Sequence, residues 1–122
     1  MKPHLFLFLF FFIPINVFSD QIPTVREYKE NIKNNKYDQF ILGLENGIDW
    51  TSQEAYRQEG ILIFCKPSDI SLPIIEIKRL INEQLKRDSS FYAKYENEPL
   101  IGLALKNAFV RNFPCSGNQR SN

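Results

Sequence analysis

The chain carries almost no surplus of charge and very few cysteines or histidines. Its 122 residues include 15 Lys and Arg against 14 Asp and Glu, with two cysteines and one histidine. Because there is no basic excess, the electrostatic signature of a nucleic-acid-binding protein is missing. The sequence also lacks a phosphate-binding glycine loop and an EF-hand loop. These absences argue against nucleic-acid, nucleotide and calcium-sensor functions.

The amino terminus has the layout of a secretory signal peptide. Lys2 precedes an unbroken apolar run over residues 5–13, and Ser19 supplies a small residue at the cleavage position. The run is short for a membrane span, which needs about 20 apolar residues. We expect residues 1–19 to be cleaved and residues 20–122 to form one small, formally neutral periplasmic domain that is not attached to the membrane. The alternative is an uncleaved membrane anchor.

Cleavage of the signal peptide would also remove the only histidine, His4. A serine or cysteine nucleophile commonly needs a histidine base, and a metal site built on two cysteines commonly needs histidine partners. Glu45 and Asp49 are four residues apart and would share a helix face, which we interpret as a solvated face rather than an acid–base pair. We therefore expect a protein that is not an enzyme and that holds no cofactor or metal.

Export would place the two cysteines, Cys65 and Cys115, in an oxidising compartment. In an oxidising compartment two cysteines usually form one disulfide, and we predict an intramolecular bridge between them. Closing a loop of about 50 residues would stabilise the fold by about 4 kcal/mol in the chain-entropy model. An intermolecular bridge and free thiols are the alternatives.

Helical periodicity dominates four segments of the chain. Thr24 and Glu27 match a capping box that would begin a first helix of about ten residues. Apolar residues recur at intervals of three and four over residues 37–48, which predicts a longer second helix. Gly43 and Gly47 fall on one side of it, where we expect close packing against a neighbouring element.

The other two helices are predicted over residues 73–88 and 99–113, and the last has apolar residues on most faces. Residues 51–71 lose the helical period, and the apolar run at 61–64 is either a brief strand or a buried extended segment. The predicted fold is an all-α bundle of about four helices. Its disulfide would tie the start of the third helix to the end of the fourth and pin residues 51–71 onto the core.

Aromatic residues stand in the polar connection 88–98. Phe91, Tyr92 and Tyr95 either face a partner, as aromatics at interface centres do, or fold back onto the bundle. Trp50, near the end of the predicted second helix, is interpreted as a core or near-core residue.

Several of these segments together resemble a known family. The second helix with its two glycines, the element Cys65-Lys66-Pro67 ahead of a helix, and the closing element Phe113-Pro114-Cys115 resemble the Rap/Tai-type immunity proteins of type VI secretion systems. The resemblance covers about 80 residues of the exported chain. It implies a helical domain, often a homodimer, that binds a peptidoglycan amidase effector and obstructs its active site without being catalytic.

The resemblance carries over no contact residue, so the contact surface is predicted from the sequence alone. We predict contacts from the 88–98 connection, through Phe91, Tyr92 and Tyr95, and from the turn that holds Lys66, Ser68 and Asp69. Two other functions fit a small exported helical domain with one long-range disulfide. One is a periplasmic acid-stress chaperone of the HdeA type, and the other is a periplasmic structural protein with no toxin partner.

Overall fold

A computed structural model describes residues 22–67 and 70–116 of the chain. These residues form five helices and no strand: α1 (Val25–Glu30), α2 (Asp38–Glu59), α3 (Ile74–Arg87), α4 (Ser89–Lys94) and α5 (Ile101–Asn112). The predicted fold class, a small all-α bundle with one disulfide, is confirmed for the described part of the chain. The predicted signal peptide lies outside it.

The core is centred on the packing of α3 against α5. Both helices present buried apolar side chains at helical spacing: Ile77, Leu80, Ile81 and Leu85 from α3, and Ile101, Ala104, Leu105, Ala108 and Phe109 from α5. Val25 and Tyr28 of α1, Ile41 of α2, Phe64 and Tyr92 of α4 complete this cluster. Each large side chain buried in this way stabilises the fold by about 1.5–3 kcal/mol.

Helix α1 begins as predicted. The Thr24 hydroxyl accepts a hydrogen bond from the Glu27 amide, and the Glu27 carboxylate accepts one from the Thr24 amide. The helix ends at Glu30, so it is shorter than the predicted ten residues. Its first turn is tied to the segment before α5, because the Val25 amide donates to the Glu98 carbonyl at 3.1 Å.

Helix α2 extends well beyond the predicted end of the apolar repeat. It continues to Glu59 and ends at Gly60, which has φ 66°, a left-handed conformation that glycine adopts without strain. Residues 51–59 lack an apolar period because most of them face solvent, and good helix formers still continue the helix there. No helix in the described residues is both long and apolar enough to span a bilayer.

Residues 88–98, predicted as a connection, contain a short helix of their own, α4. It follows α3 after the single residue Asp88, which is the C-cap of α3 and the N-cap of α4. Tyr92 of α4 faces the core, whereas Phe91 of α4 and the C-cap residue Tyr95 face solvent.

Candidate functional site

After Gly60 the chain turns back along α2. Residues 61–67 follow this return path: the Ile61 amide donates to the Ala55 carbonyl at 3.4 Å, and further along Lys66 reaches Glu45. The segment is irregular, with a bend at Ile63, and pairs with no strand in the described residues. The predicted brief strand at 61–64 is therefore wrong, and the alternative, a buried extended segment, holds only for Phe64, because Ile61 is 54% exposed.

A disulfide fixes this returning segment to the end of α5. Cys65 and Cys115 are bonded, with their Cα atoms 4.9 Å apart, as predicted. Beside the bridge, the Cys65 amide donates to the Phe113 carbonyl at 2.7 Å. Phe64 packs edge-on against Phe109, with ring centroids 5.2 Å apart. The bridge and the aromatic contact together hold residues 61–67 against both α2 and α5.

Lys66 adds a buried ionic contact. Its side chain is only 6% exposed, and its Nζ lies 3.0 Å from Glu45 Oε1 and 2.5 Å from Asp49 Oδ2. The same Nζ lies 5.2 Å from the centre of the Phe109 ring. Burial alone lowers the pKa of Lys66, but the hydrogen bonds that its ammonium group donates to Asp49 and Glu45, together with their negative charges, outweigh burial, so the pKa is raised. Lys66 is therefore held as a cation inside the fold.

Two predictions are corrected by this ionic contact. Glu45 is buried, so the Glu45–Asp49 pair is not a solvated helix face. Lys66 was predicted to contact a partner, yet its ammonium group is already bound by two carboxylates and shielded from solvent. The other two residues predicted at this turn, Ser68 and Asp69, lie outside the described residues.

Between α2 and the returning segment lies an open apolar groove, which we call the α2 groove. Its volume is about 500 Å³. From α2 it is lined by Phe40, Gly43, Leu44, Gly47, Ile48 and Thr51, and from the rest of the fold by Ile63, Phe64 and Lys106. The hydroxyl of Thr51 donates to the Gly47 carbonyl at 2.7 Å, within its own helix. The lining is therefore apolar apart from Lys106.

The two α2 glycines face open space. A Cβ atom built on Gly43 or Gly47 would meet no atom of a neighbouring element within 4 Å. The expected close packing against a neighbouring element is therefore wrong for these two positions. Gly102 differs, because a Cβ there would lie 3.4 Å from Cδ2 of Leu44. Glycine in a helix interior costs about 1 kcal/mol relative to alanine. Gly43 and Gly47 therefore destabilise the monomer, and no packing contact within it offsets this cost.

Trp50 lies beside the α2 groove. It lines a neighbouring shallow pocket together with Thr51, which also lines the groove. Trp50 is 73% exposed, so its interpretation as a core residue is wrong. A helix presents residues 43, 47 and 50 on one side, and here that side carries two bare backbone positions followed by an exposed indole.

The predicted aromatic contacts on α4 divide into two groups. Phe91 and Tyr95 are 41% and 38% exposed, and their ring centroids lie 5.0 Å apart, so they form one aromatic patch. Tyr92 is 1% exposed, and burial raises the pKa of its phenol. Tyr92 is therefore a core residue that no partner can reach in the folded state, which corrects its predicted role.

Sequence reasoning missed the groove itself. The glycine spacing in α2 was visible, but Ile63 and Lys106 gave no local signal because they reach the groove from distant parts of the chain. Comparison with known proteins finds no match to a family model, to a curated protein or to a solved structure. The disulfide is compatible with an extracytoplasmic location. Among the described residues, no group of three or more potential metal ligands is present.

Proposed function

We propose that this chain is a periplasmic immunity protein that binds a peptidoglycan amidase effector of a type VI secretion system and blocks it. In this proposal, residues 1–19 direct export and the helical domain acts by binding, without chemistry of its own. The observation that carries the binding role is the pair of bare glycines, Gly43 and Gly47, facing an open apolar groove.

The glycines support binding because the monomer does not use them. Alanine at both positions would favour the helix, and no neighbouring atom would oppose it. A bare backbone on an exposed helix face permits the close approach of another chain. Glycines that destabilise the monomer are therefore accounted for if a partner packs on them.

The surroundings of the groove have the composition of an interface centre. Trp50 stands exposed beside it, and tryptophan is among the residues most enriched in binding hot spots. Isolated exposed apolar residues are normal on a monomer, but an indole next to an apolar groove forms a continuous patch. The aromatic patch of Phe91 and Tyr95 offers a second surface, on α4.

The identity of the partner comes from the sequence resemblance. The elements around Cys65 and Cys115, together with the glycine pair, resemble the amidase immunity family, and in this fold they lie close to one another. The bridge holds the segment that lines the α2 groove, and the glycines lie in the same groove. Of the residues that carry the resemblance, Gly43 and Gly47 line the α2 groove, and the bridge between Cys65 and Cys115 supports the segment beside it.

The test is an inhibition assay with the exported, oxidised protein. The reading frames adjacent to this one are first searched for a secreted amidase, and the hydrolysis of peptidoglycan by that amidase is measured against increasing amounts of this protein. We expect inhibition that is complete at a one-to-one ratio of the two proteins. Absence of a complex and of inhibition would refute the proposal, and acid-activated binding to many unfolded proteins would instead favour the chaperone function.

Two variants locate the contact surface in the same assay. Gly47→Leu places a side chain in the α2 groove, and the double variant Phe91→Ala, Tyr95→Ala removes the α4 patch. We expect the first to weaken inhibition strongly while thermal stability stays near that of the wild type. If only the α4 variant weakens inhibition, the amidase binds the predicted 88–98 surface and not the groove.

A further inference from the structure

We infer that the α2 groove receives an amphipathic helix of the partner protein, with small side chains against Gly43 and Gly47 and a carboxylate against Lys106. The inference rests on the proposed function in that the occupant is a segment of a partner protein. It goes further by assigning the conformation, the size and the charge of that segment.

The groove favours a helix because its lining offers few hydrogen-bonding groups to a backbone. The hydroxyl hydrogen of Thr51 is donated within α2, which leaves its oxygen and the Lys106 ammonium group as the polar groups of the lining; the other lining side chains are apolar or absent. An extended segment would bury backbone N–H and C=O groups without partners there, and the described residues provide no strand edge for it to join. A helix satisfies its own backbone groups and needs only an apolar surface.

The length and the glycine spacing indicate how such a helix would contact α2. The groove runs from Phe40 to Thr51, which corresponds to about 16 Å along the helix axis, or three turns. Gly43 and Gly47 are one turn apart on the same side. Where small residues of two helices meet, their axes approach more closely than large side chains allow. The facing residues of the occupant should therefore be alanine, glycine or serine.

Lys106 supplies the charge preference. It is half-buried at the groove, and no carboxylate of the described residues lies within ion-pair distance of its ammonium group. Glu45 and Asp49, the acidic residues of the middle of α2, are both bound to Lys66. A cation beside apolar surface is complemented by a carboxylate that approaches with the partner, and a second cation there would be repelled.

The test uses synthetic peptides and the full, exported chain. A set of helical peptides of about 16 residues, long enough for the groove, carries an alanine face with flanking leucines. Each peptide is made with either glutamate or glutamine opposite Lys106, and binding is measured by fluorescence polarisation. We expect the best glutamate peptide to bind about fivefold more tightly than its glutamine twin, a difference of one ion pair. We expect Lys106→Gln to remove this difference.

Controls separate a helix in the groove from other modes of binding. Gly47→Leu and a central proline in the peptide should each abolish binding. The inference would be overturned if no peptide binds saturably, or if the glutamate and glutamine twins bind equally. Binding that survives Gly47→Leu would also overturn it. A wild-type dimer that Gly47→Leu converts to a monomer would also overturn it, because the groove would then be occupied by a second copy.

The peptide and amidase experiments distinguish failure of the helix assignment from failure of the proposed function. Amidase inhibition without any discrimination between the peptide twins leaves the proposed function intact and overturns the helix assignment. Discrimination between the twins without amidase inhibition supports the helix assignment and refutes the amidase as the partner.

Discussion

Helix α3 and helix α2 each present an apolar side, but the side of α3 is buried against α5, whereas α2 packs through Ile41 and leaves the rest of its apolar side as an open groove. Where α3 packs against α5, residues such as Ile81 and Leu105 are fully buried. Along the α2 groove, Gly43 and Gly47 are open to solvent and Trp50 stands beside them. The α3–α5 contact is thus complete within the monomer, and the α2 groove is not.

The two regions differ in what a substitution should do. In the α3–α5 contact, loss of volume leaves a cavity, so most changes destabilise. In the α2 groove, added volume meets no neighbour, so a small addition should stabilise the monomer and interfere only with a partner. A substitution that raises stability but weakens binding therefore marks a binding surface, whereas one that lowers stability marks a surface needed for folding.

Removing the disulfide is expected to have the largest effect. The double variant Cys65→Ser, Cys115→Ser opens a bridge between residues 50 apart in the sequence. Stability should fall by about 4 kcal/mol in the chain-entropy model. Neither cysteine lies in α3 or α5, so the folded variant should keep its helical circular dichroism. Partner binding should fall, because the bridge holds the segment that lines the α2 groove. Equilibrium denaturation checks the first point, and unchanged stability would contradict it.

Replacing Lys66 should have the next largest effect. Lys66→Met leaves Glu45 and Asp49 without their cation, and breaking such a buried contact costs about 3 kcal/mol. Arg79 is a matched control, because it also pairs with two carboxylates, Glu76 and Glu83, but at the surface. Arg79→Met should be indistinguishable from the wild type in urea denaturation. Equal losses for the two variants would show that burial of Lys66 is unimportant.

Alkaline pH should lower the free energy of unfolding through Tyr28, a core residue of α1. Burial, followed by the nearby charge of Asp38, raises the pKa of Tyr28 from 10.0 to about 12. Between these values the unfolded chain loses the proton and the folded chain keeps it, so stability falls as pH rises, by about 2–3 kcal/mol. The raised pKa of Lys66 acts with the same sign.

The variant Tyr28→Phe isolates the tyrosine contribution. It cannot ionise, so its stability should decline less than that of the wild type between pH 10 and 12. Denaturation at a series of pH values gives both curves. Parallel curves for the two proteins would mean that the Tyr28 phenol is as accessible to solvent in the folded state as in the unfolded state.

Much of the fold could be predicted because its signals are local. The capping box at Thr24 is formed by residues three positions apart, and the apolar repeat of α3 by residues three or four positions apart. Each signal therefore acts independently of the rest of the chain. The disulfide could be predicted because only two cysteines exist to pair. The second half of α2 was missed because it is solvated on most sides and therefore carries no apolar period.

The site could be predicted only in part because it is assembled from distant segments. The spacing of Glu45 and Asp49 was visible, but their cation comes from Lys66, on a segment whose return path depends on the bridge and on Phe64. Tyr92 and Tyr95 look equivalent in the sequence, yet the direction of α4 buries one and exposes the other. Such choices are made by packing and not by local composition.

The most direct test of the account is the double variant Gly43→Ala, Gly47→Ala, measured for stability and for binding to the amidase. Each alanine should stabilise the monomer by about 1 kcal/mol, because α2 gains helix propensity and no contact is strained. The same variant should bind the amidase at least about tenfold more weakly, since two methyl groups obstruct the close approach. Gly102→Ala, outside the groove lining, serves as the control and should leave binding unchanged. A variant that is stabilised but binds like the wild type would contradict the claim that the α2 groove is the docking surface.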